Sequence, residues 1–162
     1  MSKEVLTIIF GILSGVLVFV IGRFIEKLFI DPIKEHKSVI AEIYDGMIFY
    51  TNRITSPLHV TEDIPNSIIA EINKVSDEIR RLSTKLRAAT YNLKGFYWLY
   101  RIFFRAPSLK DINEVCGSLI GISNGLLYRD NRHHVMDFNI KKHEIIMQKL
   151  KLNKFEHKLK RQ

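Results

Sequence analysis

Cysteine is all but missing from the chain: Cys116 is the one thiol in 162 residues. An internal disulfide is therefore excluded, which fits a reducing compartment, and a lone Cys on an apolar stretch reads as a small core residue. Also missing is any Gly/Ser-rich linker or low-complexity tract, so nothing divides the chain into separate globular units. At about 100 to 200 residues per domain, there is room for one domain beside a membrane anchor and not for two enzymatic ones. Clustered metal ligands are lacking too. His133 and His134 are adjacent, without thiol or acidic ligands at the spacing a metal site uses. No metal or other cofactor is expected.

What is abundant is apolar sequence at one end. From Val5 to Gly22 the chain reads VLTIIFGILSGVLVFVIG without a charge, a helix of about 27 Å against a bilayer hydrocarbon of about 30 Å. Arg23 and Lys27 can snorkel, so Phe24, Ile25 and Leu28 lengthen the buried stretch. A signal peptide would have a shorter apolar region, a basic start and a small-x-small cleavage site, whereas Lys3 stands alone here and bulky residues follow. The expectation is a retained anchor over residues 1–30 and a helical domain over residues 31–162. Lys3 precedes the span, while Arg23, Lys27, Lys34 and Lys37 follow it, which puts the N-terminus outside and the domain in the cytoplasm. No later segment is long enough to cross.

The fold class expected is all-α: one transmembrane helix, then a cytoplasmic helical bundle. Asp31-Pro32 reads either as the start of a second helix ending near Asn52 or as a kink in one long helix. Thr51–Pro65, with two prolines and no sustained period, reads as a loop. Ile68, Ile72, Val75, Ile79, Leu82, Leu86, Ala89 and Leu93 alternate in steps of four and three. That is a heptad seam, which packs within the domain or joins subunits. Ser108 and Asp111 form a capping-box pattern opening a helix to about Tyr128, on which Gly117, Gly121 and Gly125 lie one turn apart and permit close approach. A last helix starts near His133.

Four features could carry function. Gly11 and Gly15, with Ser14 adjacent and Gly22 further on, give the span a small face for helix association in lipid. The aromatic run Phe96–Phe104, between Lys94 and Arg105, suits core packing, a membrane interface or a subunit contact. From Lys141 to Gln162 there are eight Lys or Arg against two Glu, a tail including Lys149, Lys151, Lys154, Lys158, Lys160 and Arg161. Such charge is attracted to anionic lipid, RNA or an acidic partner, or is simply a solvated face. Last, Arg129-Asp130-x-x-x-His134 pairs a guanidinium that can hold phosphate with an imidazole that can exchange a proton near neutral pH. A looser Arg53-to-His59 pair has apolar Ile54 after the arginine and carries less weight.

The Arg129-Asp130-x-x-x-His134 motif, between two helices of an all-helical domain, resembles that of the HEPN superfamily, in which Arg and His commonly form a metal-independent ribonuclease site across a dimer. With one N-terminal span and a basic tail, the chain is similar to the small membrane accessory proteins of subtype VI-B CRISPR systems. The resemblance implies an anti-phage role at the bacterial inner membrane. A homo-oligomeric ring would open a pore and depolarise the membrane after an RNA-guided, RNA-cleaving effector recognises viral RNA. It implies as partners the bilayer, further copies of the chain, that effector and RNA. Under it Arg129 and His134 are either coupling residues or, in a membrane-tethered ribonuclease, the catalytic pair. A passive tether recruiting a partner through its basic tail is the third reading.

Overall fold

A computed structural model describes residues 3–60, 64–128 and 132–152. Helix α1 (Lys3–Ile25) passes through a π-helical turn (Glu26–Ile30) directly into α2 (Asp31–Phe49). Asp31 is helical, with φ −63° and ψ −46°, and its N–H donates to Glu26 O, five residues back. No new helix begins at Asp31-Pro32. Proline lacks an N–H and its ring collides with the carbonyl four residues earlier, and a wider π turn just before it opens the ladder without breaking the helix. The result is one apolar-to-amphipathic helix, continuous over the 43 residues Thr7–Phe49 and about 65 Å long.

After it come the short α3 (Thr51–Thr55), β1 (Leu58–His59), α4 (Asn66–Asn92), α5 (Tyr97–Phe104), α6 (Leu109–Asn124), β2 (Leu127–Tyr128) and α7 (Arg132–Lys149). Helix α4 is central, packed on α2 along one side and α6 along another, with α7 against the far side of α6. The heptad seam explains this position. Ile72, Val75, Ile79, Leu86, Ala89 and Leu93 are buried, Leu82 is partly so, and only Ile68 at the first turn is exposed. The seam is thus consumed inside the domain, against Ile43 and Met47 of α2 and Val115, Leu119 and Ile122 of α6. Ser83 and Cys116 link α4 to α6 within this core: Ser83 Oγ donates to Cys116 O at 3.0 Å, while Cys116 Sγ reaches Ser83 O at 3.6 Å.

The capping box forms as expected. Ser108 Oγ accepts from Asp111 N–H at 3.0 Å and the Asp111 carboxylate accepts from Ser108 N–H at 3.1 Å, which starts α6 at Leu109. Of its three glycines, Gly121 faces Phe138 of α7, where an added Cβ would lie 3.3 Å from the ring, while Gly117 faces open space. The expected loop Thr51–Pro65 contains regular structure in its first part. It holds the α3 turn and then β1, which pairs in parallel with β2 in the register Leu58↔Leu127 and His59↔Tyr128. So short a strand has no period to detect, and its partner is distant in sequence.

Candidate functional site

The N-terminal helix is long and apolar enough to cross a membrane. Among the described residues nothing covers its apolar window, and side chains such as Phe10, Leu13, Leu17 and Phe19 are each about 60% exposed. That excludes a core helix of the domain. A Cβ built on Gly11, Gly15 or Gly22 meets nothing within 4 Å, so the small face is open. Ser14 Oγ donates back to Gly11 O at 2.9 Å, which satisfies the hydroxyl within its own helix.

Arg129 and Asp130 lie outside the described residues. His134 is exposed on the first turns of α7, and the strand pair ends at Tyr128. Tyr128, buried and immediately before Arg129, stacks on His59 with ring centroids 5.0 Å apart. The histidine of the Arg53–His59 pair thus packs on Tyr128, whereas Arg53 forms an ion pair with Glu71 at 2.8 Å. The joint holding this corner was not found from the sequence. Asn139 of α7 is fully buried and its Nδ2 donates to both Ile54 O (3.2 Å) and Gly125 O (2.9 Å). One amide thereby ties α7 to the end of α3 and to the turn after α6. Gly125 permits this approach, since a Cβ there would lie 3.1 Å from Asn139 Cγ and closer still to Oδ1.

Two residues assigned to the basic tail belong to the fold. Lys149 Nζ lies 3.1 Å from both Asp111 Oδ1 and Glu114 Oε2. Hydrogen bonds from Ser108 first, and then from Lys149, hold the Asp111 carboxyl down at about 2, and the two carboxylates raise the Lys149 ammonium. Lys151, with φ 61°, donates through Nζ to Arg105 O at 2.8 Å. Lys154, Lys158, Lys160 and Arg161 lie outside the described residues.

The aromatic run divides by face. Tyr97 and Tyr100 are buried with Leu93 and Ala106 in a second, smaller cluster, joined by Ile33 of α2 and Phe96. Beside it His36 is fully buried, 3.2 Å from Thr90 Oγ1 through Nε2 and 3.3 Å from Tyr100 Oη through Nδ1. Thr90 gives its own hydrogen to Leu86 O at 2.7 Å. It must therefore accept from Nε2–H, which leaves Nδ1 to accept from the tyrosine. Burial pushes this imidazole down to about 4, so His36 is a neutral structural group.

No family model, curated protein or solved structure matches the chain. Among the described residues, no group of three or more His, Cys, Asp or Glu side chains could hold a metal ion. What the geometry offers is mechanical: a bare apolar helix, a small face on it, and an unbroken helical connection from that face to the core around Ile43 and Met47.

Proposed function

We propose that the protein is an oligomeric membrane effector. Its N-terminal helices associate through the Gly11/Gly15 face into a ring that conducts ions, and the domain on the cytoplasmic side biases the ring between closed and open. One apolar helix cannot conduct, because an ion in hydrocarbon is too costly, whereas several can enclose a watery path. The observation that carries this reading is the continuity of the uncovered helix with the domain's core helix, since a displacement of the domain then moves the membrane segment with it. The resemblance of the Arg129-to-His134 motif and the single apolar helix support a role in RNA-targeting CRISPR immunity, in which the protein would act once an RNA-guided effector has found its transcript. Helix α7, which carries the exposed His134 and is pinned to the domain by Asn139, is where such a signal would enter.

The test is a voltage-sensitive dye in cells carrying the RNA-guided effector. The potential should collapse with this protein and a matching target transcript together, and hold when either is absent. Full phage protection with an unchanged potential would overturn the pore and leave the tether or the ribonuclease.

A further inference from the structure

Among the described residues, the outer face of α5 has no partner. Trp98, Ile102 and Phe103 are 62, 66 and 75% exposed, on a helix whose opposite face supplies the buried Tyr97 and Tyr100. This face is fastened to the part of the long helix that leaves the apolar span. Phe96 packs on Phe29 with centroids 4.7 Å apart, His36 lies against Tyr97 and Tyr100, and Lys37 Nζ sits 4.1 Å above the Phe104 ring. Exposed apolar side chains on the long helix run from Ile8 to Ile30, about 34 Å against roughly 30 Å of hydrocarbon. Phe29 thus falls at the headgroup level, and α5 with it.

The charge around this face has one sign. Between Leu93 and Lys110 there are four Lys or Arg and no carboxylate. A groove of about 720 Å³ beside Trp98, between α5 and the start of α6, is lined by Lys94, Arg101 and Lys110, and none of the three is ion-paired among the described residues. Indole and apolar side chains beside unpaired cations match the membrane interface, where aromatic rings sit at the headgroups and phosphate draws Lys and Arg.

We infer that the Trp98/Ile102/Phe103 face of α5 beds in the leaflet on the domain's side, with an anionic phospholipid headgroup in the Lys94/Arg101/Lys110 groove. This fixes how the domain leans on the bilayer. It rests on α1 spanning the membrane and is independent of whether a pore opens.

Trp98 is the only tryptophan in the chain, so it reports without labelling. The full-length protein is reconstituted into vesicles of phosphatidylcholine with phosphatidylglycerol, and flotation is measured on the same sample. Lipids brominated near the glycerol end of the acyl chain should quench Trp98, aqueous iodide should not, and bromine quenching should fall when phosphatidylglycerol is left out. A chain that floats while iodide quenches and bromine does not overturn the docking and leaves the anchor intact. Protection from both quenchers means another copy of the chain covers the face, which also overturns it. Equal bromine quenching in both lipid compositions overturns the headgroup assignment. A chain that fails to float overturns anchor and docking together.

Discussion

Replacing Asn139 by Ala tests whether α7 is held to the end of α3 and to the turn after α6 by a single amide. Asn139 is fully buried, and its NH2 group is the shared donor to Ile54 O and Gly125 O at 3.2 and 2.9 Å. Each lost hydrogen bond is worth about 1 kcal/mol net, and a buried carbonyl left without a donor costs about 1–3 kcal/mol. Truncation should therefore destabilise the domain by about 3 kcal/mol. For a domain of this size that is a fall in Tm of roughly 10 °C, read by far-UV circular dichroism of the full-length protein in detergent. Asn139→Asp sharpens the test, because it sets a carboxylate against two carbonyl oxygens. Its folded-state pKa must rise above the unfolded value of about 3.9. This variant should be weakest above neutrality and should recover as pH falls towards 4, when the protonated acid can donate again. A loss below about 0.5 kcal/mol in Asn139→Ala, or no recovery of Asn139→Asp in acid, would refute the shared-donor account.

Three further outcomes are expected. Because burial depresses His36 from 6.5 to about 4, the unfolded chain takes up that proton first, so stability should fall between pH 6.5 and 4 and His36→Phe should flatten that window in acid titration. The depressed carboxyl of Asp111 acts lower, with its stabilising contribution lost as pH drops from about 3.8 towards 2. Gly11→Ile with Gly15→Ile should weaken assembly without preventing insertion, by filling the open small face, and an unchanged particle mass in detergent would move the contact to the domain. Purified protein should leave RNA intact, and Arg129→Ala and His134→Ala should keep its assembly, whereas metal-independent cleavage lost in both variants would establish the ribonuclease.

Much of this fold was legible because its strongest signals are local. The uncharged run to Gly22, the four-three spacing from Ile72 to Leu93 and the Ser108/Asp111 box each depend on residues within a turn or two, and each forms. What escaped depends on distant partners. The β1/β2 pair joins Leu58 to Leu127, and Asn139 reads as an ordinary polar residue until Ile54 and Gly125 are brought to it. Asp31-Pro32 misled in one of its two readings because a helix start and a tolerated proline look alike in sequence, and the π turn that decides between them leaves no composition signal. Tail charge was overread for the same reason. Counting cations cannot show that Lys149 is held by Asp111 and Glu114 and Lys151 by a carbonyl.

The join between the apolar helix and the domain separates the effector reading from the tether. A tether works best when its anchor is loosely attached, since a flexible linker lets the domain search for a partner and passes no force to the membrane. Here Pro32 sits at the join, where a chain tolerant of looseness could break the helix, yet the π turn carries the backbone ladder through it. Just beyond, His36 is bonded to Thr90 and Tyr100, and α5 grips the same stretch through Phe96 and Phe104. Further on, Ile43 and Met47 are fully buried against the seam of α4. A helix held at three successive levels cannot turn or slide independently of the domain, because packed interiors are close to incompressible. A rigid-body motion of the domain would therefore carry the Gly11/Gly15 face with it, which the proposed effector reading requires and the tether reading has no use for.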